Sequence, residues 1–142
     1  MNSCEKNFGF IHKSGILMAV SSLPSEYGFG SFGKSAYEFV DFLDRCGQTV
    51  WQVLPLNPTS YGDSPYQSPA SVAGNPYFID LDILAQKGLL SADELAAEKC
   101  QSDKVDYGRL FNRRYPTIRL AYSRFTPTED YESFCRENSS WL

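Results

Sequence analysis

Two short apolar runs, separated by one helix-length amphipathic segment, constrain this chain more than anything else in it. Residues 16–20 read Ile-Leu-Met-Ala-Val between Gly15 and Ser21. Such an unbroken run predicts a strand buried on both faces, the pattern of a parallel sheet. Residues 34–46 follow, with Ala36, Phe39, Val40, Leu43 and Cys46 at helical spacing and Gly47 placed to end the helix. Ser35 and Glu38 fit a capping box at its start. Residues 49–54 then read as a second strand, stopped by Pro55. Parallel strands need a crossover of about this length, so the pattern predicts a βαβ unit and an α/β chain.

The rest of the sequence divides near residue 80. Of the 18 Gly and Pro residues, 14 fall in the first 80 positions. Beyond them the pattern is helical: Asp80 and Asp82 suit a cap, Ser91 and Glu94 form a capping-box pair, and Thr128 suits the start of a last helix. Residues 106–114 and 117–125 read as helices with Pro116 breaking or kinking the run. Between these parts lie about 25 residues without a helix signal, a length that is usually functional or disordered. Tyr61, Tyr66, Tyr77 and Phe78 stand in this stretch, so its composition is not that of a disordered segment.

Several classes of function are excluded early. With 17 acidic and 13 basic residues the net charge is −4, which argues against an electrostatic nucleic-acid binder. No run approaches a membrane span, and residues 15–20 read better as a strand than as the core of a signal peptide. Cys4, Cys46, Cys100 and Cys135 are widely spaced, and His12 is the single histidine, so no zinc-type cluster is expected. Gly28-Phe29-Gly30-Ser31-Phe32-Gly33 has the spacing of a dinucleotide loop. However, the next strand ends in Leu54-Pro55-Leu56 without the expected acid, and a structural turn is the better reading. Arg109, Arg113, Arg114, Arg119 and Arg124 are expected to form a solvated helix face pairing with nearby acids.

The segment following the second strand carries the chemistry. Residues 55–68 leave the carboxyl end of a parallel strand, the edge at which α/β ligand sites form. Flat Tyr rings can cover the apolar face of a sugar, while Ser, Asp and Gln bond its hydroxyls. The same tyrosines could equally plug a core. Asp63 is the lone acid there, so no acid/nucleophile pair of the glycosidase type is present.

These residues also carry a family resemblance. Residues 15–84 are similar to the N-terminal part of the 4-α-glucanotransferases, also called amylomaltases. The similarity rests on Ser22-Leu23-Pro24 with Tyr27-Gly28-Phe29-Gly30, on Trp51-Gln52-Val53-Leu54-Pro55-Leu56, on Tyr61-Gly62-Asp63-Ser64-Pro65-Tyr66-Gln67-Ser68, and on Ala73-Gly74-Asn75-Pro76-Tyr77-Phe78-Ile79-Asp80-Leu81. Residues 85–142 resemble the family's next, helix-rich region more loosely. Asn57 departs from the usual Gly, Val72 from a usual aromatic, and Pro69-Ala70-Ser71 from the commoner triplet.

The resemblance implies a (β/α)8 barrel whose N-terminal portion is residues 1–84, with residues 85–142 belonging to an inserted helical subdomain. It implies retaining transfer of α-1,4-glucan segments between malto-oligosaccharides, without metal or organic cofactor, in the cytoplasm. The family's three catalytic acids follow later strands, so no catalytic residue is assigned to this chain, which is expected to be an N-terminal piece needing the remainder of the same polypeptide. Tyr66 is expected to stack on a glucose ring, Ser64 to bond a sugar hydroxyl and Tyr61 to make a secondary glucan contact, with Asp63 and Asn75 supporting the loop. The alternative is a non-catalytic glucan-binding α/β module.

Overall fold

The computed structural model describes residues 13–60 and 62–142. His12, Cys4 and Tyr61 therefore lie outside the described residues. Strand β1 (Gly15–Leu17) pairs in parallel with β2 (Val50–Gln52), Ile16 facing Trp51 in register, and α1 (Lys34–Arg45) makes the crossover. The chain is thus an α/β unit, as the spacing predicts.

Two local expectations are corrected, and a third is narrowed. The strands are short, and Ile16 and Leu17 are 43% and 60% exposed, so β1 is not buried on both faces. Hydrophobicity records what a strand needs covered; Val20 and Ala36 pack against Met18, after β1, and Trp51, on β2, while Ile16 and Leu17 stay exposed. The apolar run also ends in the 3-10 turn Val20–Ser22 and not in strand.

The capping box of α1 does not form either. Gly33 is the N-cap, with no side-chain bond. A Cβ at Gly33 would collide with the Asp80 carboxylate, which packs against this helix start. At the other end Gly47 has φ +68°. Its N–H donates to Asp44 O at 2.9 Å and that of Gln48 to Leu43 O at 2.9 Å, the paired bonds of a Schellman stop.

The third concerns Pro116, where the sequence leaves a break or a kink open: the helix is not broken. Helix α4 (Tyr107–Arg109) runs through a π turn (Leu110–Arg114) directly into α5 (Tyr115–Ser123). The Tyr115 N–H reaches back five residues to Leu110 O. Proline lacks the next donor and crowds the carbonyl four residues before it, so a widened turn falls where ordinary α-helix would be strained.

The remaining helices follow their caps. Asp80 Oδ1 accepts from Ile83 N at 3.0 Å to open α2 (Leu81–Gln86), while its Oδ2 accepts from the Ser31 hydroxyl at 2.6 Å. The Ser91–Glu94 capping box opens α3 (Ala92–Glu98), and Thr128 caps α6 (Glu129–Glu137).

Three clusters make the core. Val20, Leu23 and Ala36 bury against Phe39 and Trp51, under β1 and β2. Trp51 meets Phe39 edge-on at 5.0 Å and donates its indole N–H to Met18 O at 2.9 Å. Tyr27, Leu81, Leu90 and Ala121 join α2 to α5. Phe29, Tyr77 and Leu110 join the 21–33 loop and the 3-10 turn Pro76–Phe78 to the π turn. Phe29 is therefore core, and the 28–33 segment is a packed turn whose Phe32 N–H donates to Phe78 O.

Candidate functional site: an aromatic groove beside the long loop

The loop that leaves β2 is closed on itself. Asn75 N–H donates to Leu56 O at 2.8 Å, and the Asn57 amide donates to Ser71 O at 2.9 Å and Ala73 O at 3.2 Å. The two ends of the loop are thus clasped together, in the manner of an Ω-loop. Asn57 makes two of these bonds. Asn75 is buried, and its side-chain oxygen accepts from Tyr77 N at 3.0 Å.

Within the loop Ser60 N–H donates to Gln67 O at 3.2 Å and Asp63 N–H to Ser60 O at 3.0 Å. Asp63 holds a positive φ of 55°, a conformation Asp tolerates better than most residues. Ser64 Oγ accepts from the Tyr66 backbone N–H at 3.4 Å. Tyr66 is 74% exposed, an aromatic face left open to solvent.

The other side of the loop faces a groove of about 1140 Å³. Thr59, Ser60 and Asp63 form its loop wall, Tyr77 joins them, and Tyr107, Phe111, Tyr115 and Arg119 form its helical wall. Small-ligand pockets run from about 300 to 1,000 Å³, so the volume suits an extended ligand. Tyr77 and Tyr115 meet edge-on at 5.0 Å, and Phe111 and Tyr115 at 5.9 Å. Burial, then Tyr115 and Asp63, push the Tyr77 hydroxyl up to about 12. Tyr107 is likewise raised, by burial first and then by Asp63. Both phenols stay protonated across ordinary pH and can donate hydrogen bonds.

Of the residues singled out in the sequence, Asp63 lines the groove while Ser64 and Tyr66 stand outside its lining. The sequence reading missed Tyr107, Phe111, Tyr115 and Arg119. Their signal is the repeat of every fourth residue, which a break or kink at Pro116 obscures. Among the described lining residues Asp63 is the single carboxylate, so the groove holds no acid/nucleophile pair. Among the described residues no three His, Cys, Asp or Glu side chains converge to hold a metal ion, and no helix is long and apolar enough to cross a membrane.

The expected pairing with acids holds for Arg113 with Glu98 and Arg124 with Glu94, whereas Arg114 turns inward and corrects the expectation of one solvated face. Arg109 donates to Glu98 O and Lys99 O and Arg113 to Ala97 O, closing the end of α3. Arg124 makes a two-pronged pair with Glu94 at 2.7 Å for each contact. Arg114 is 1% exposed, and it is taken up below.

Fold and groove together define an α/β chain with an aromatic cleft beside the loop that follows a parallel strand. Comparison with known proteins gives that class a family. A family model described as 4-alpha-glucanotransferase matches residues 18–142, and the chain belongs to that family. It is 53% identical over 135 residues to the 4-alpha-glucanotransferase of Streptococcus pneumoniae, covering 92% of this chain and 27% of that protein. It is 50% identical to that of Clostridium butyricum, covering 88% of this chain and 26% of the relative. Among solved structures it superposes on an amylomaltase from Streptococcus agalactiae in complex with acarbose, with TM-score 0.81 and 43% identity over 89% of this chain and 27% of that one. The chain spans about a quarter of the length of these relatives.

Proposed function

We propose that this chain is the N-terminal part of a 4-α-glucanotransferase, which transfers α-1,4-glucan segments between malto-oligosaccharides by a retaining double displacement in the cytoplasm. Residues 1–84 begin a (β/α)8 barrel and residues 85–142 belong to a helical insertion on it. The barrel's later strands, in the remainder of the polypeptide, supply the nucleophilic carboxylate and the acid that protonates the leaving oxygen. The parts held here bind substrate. Tyr66 stacks on a glucose ring near the donor site, and Ser64 bonds one of its hydroxyls. Tyr61 and the groove beside Asp63 hold a more distant stretch of the same glucan, and Asn75 keeps the loop closed.

The observation that carries this reading is the aromatic groove, built from residues inside the family match and open along a clasped loop. Acarbose in the S. agalactiae relative supports an oligosaccharide as the ligand. Maltotriose disproportionation tests it. The full-length protein is expected to release glucose and longer oligosaccharides, with transfer reduced at least tenfold by Tyr66→Ala. The 142-residue chain alone is expected to release none. Glucose from the isolated chain, or a full-length protein silent toward maltodextrins, overturns the assignment.

A further inference from the structure

The helical wall of the groove poses a geometric problem. Tyr107, Phe111, Tyr115 and Arg119 are spaced by four residues and all line it. In a regular α-helix of 3.6 residues per turn, a four-residue step drifts by about 40°, so three steps would carry Arg119 about 120° away from Tyr107. The π turn Leu110–Arg114 lies in the middle of this row. Its wider turn advances less per residue and rotates the later positions back. One π turn thus keeps a row of side chains on the groove that an unbroken helix would wind out of it.

The residue that closes the π turn is Arg114. Its side chain points away from the groove into the core and is 1% exposed. The guanidinium carbon lies 5.8 Å above the centre of the Tyr27 ring, and Nη2 donates to Tyr27 O at 3.4 Å. Its Nε has no partner. A charged side chain buried so fully, with one long hydrogen bond and an orphaned donor, is costly to the fold. Tyr115, next to it on the helix, and Tyr77, which Tyr115 meets edge-on, are both groove residues.

We propose that Arg114 is a positioning residue for the glucan groove: by anchoring the π turn to Tyr27 it holds Phe111, Tyr115 and Arg119 in one line along the cleft. This rests on the glucan reading of the groove given above. What the anchor uses is a positive charge over the Tyr27 ring and one donor to its carbonyl; the Nε proton is not used. A lysine ammonium can supply both.

The test is a double-mutant cycle on maltoheptaose affinity in the full-length protein, measured by calorimetry well below the melting temperature. Arg114→Met and Arg114→Gln are expected to weaken binding at least fivefold, and Arg114→Lys to bind within twofold of the parent. In a Phe111→Ala background, which removes the middle of the row, Arg114→Met is expected to cost less than twofold further. A residue serving stability alone would lower the melting temperature without this dependence on Phe111. If the parent shows no saturable maltoheptaose binding, the glucan reading fails and takes the proposal with it. If the parent binds and folded Arg114→Met and Arg114→Gln bind equally well, the proposal alone is overturned. A fivefold loss that persists undiminished in the Phe111→Ala background, a Lys variant as weak as Met, or failure of both neutral variants to fold also overturns it.

Discussion

At the scale of single residues, charge is used in two ways. Arg124 grips Glu94 with two 2.7 Å contacts, and the Ser91 N–H adds a third bond to the same carboxylate. The Arg124 hydrogen bonds first, then the Ser91 backbone, hold Glu94 at about 2, below its ordinary value of 4.5. A carboxylate held low in the folded state adds stability above its unfolded pKa, and that stability is lost as pH falls through the folded one. The melting-temperature gap between the parent and Glu94→Gln is therefore expected to be steady above about pH 5 and to shrink between pH 4.5 and about 2. A gap unchanged down to pH 2 would show that the pair does not act through the Glu94 charge. This residue was legible in the sequence, because a capping box is written in four consecutive positions. Arg114 was not. Its burial is decided by Tyr27, 87 positions away, and a run of arginines on a helix looks the same whether one of them turns inward or none does.

At the scale of elements, most of the secondary structure was readable where a local rule decides it. Asp80, Ser91, Thr128 and Gly47 mark helix ends because each one satisfies or shapes the backbone beside it. The failures came where a distant group intervened. Ser35 and Glu38 have the right spacing for a cap, but the Asp80 carboxylate occupies the space beside Gly33, and the helix starts from there. The π turn before Pro116 shows only in the four-residue repeat of Tyr107, Phe111, Tyr115 and Arg119, which a regular helix would not keep on one side. It is a local accommodation that lets one helix serve a core and a groove at once. Gly47 offers a clean test of the local rules. Its φ is +68°, and nothing lies within 4 Å of where a Cβ would stand. Gly47→Ala is expected to cost about 1–2 kcal/mol in urea unfolding, from left-handed backbone conformation alone. Gly47→Asn is expected to recover most of that, because Asn visits this region more readily. Equal losses for both would point instead to a steric effect.

At the scale of the whole molecule, the sequence and the structure differ over what is covered. The apolar runs call for strands packed on both faces, yet Leu17 is 60%, Phe42 50%, Val40 49% and Val50 42% exposed. These residues lie on β1, α1 and β2, the elements that begin the proposed barrel. In a closed barrel the inward side chains of each strand pack against those of the others, and the helices cover the outside. Since the chain spans about a quarter of its relatives' length, the same side chain should meet two different environments in the two lengths. Leu17→Ala separates them. In the 142-residue chain the side chain is already mostly in water, and truncating it is expected to cost no more than about 0.5 kcal/mol, as at other surface positions. In the full-length protein the same change would empty a packed site, with an expected loss of about 2–5 kcal/mol. Urea unfolding of both lengths, each with and without the substitution, measures the difference. A cost below about 1 kcal/mol in the full-length protein would mean that nothing closes over β1 there, and the barrel assignment for residues 1–84 would fall with it.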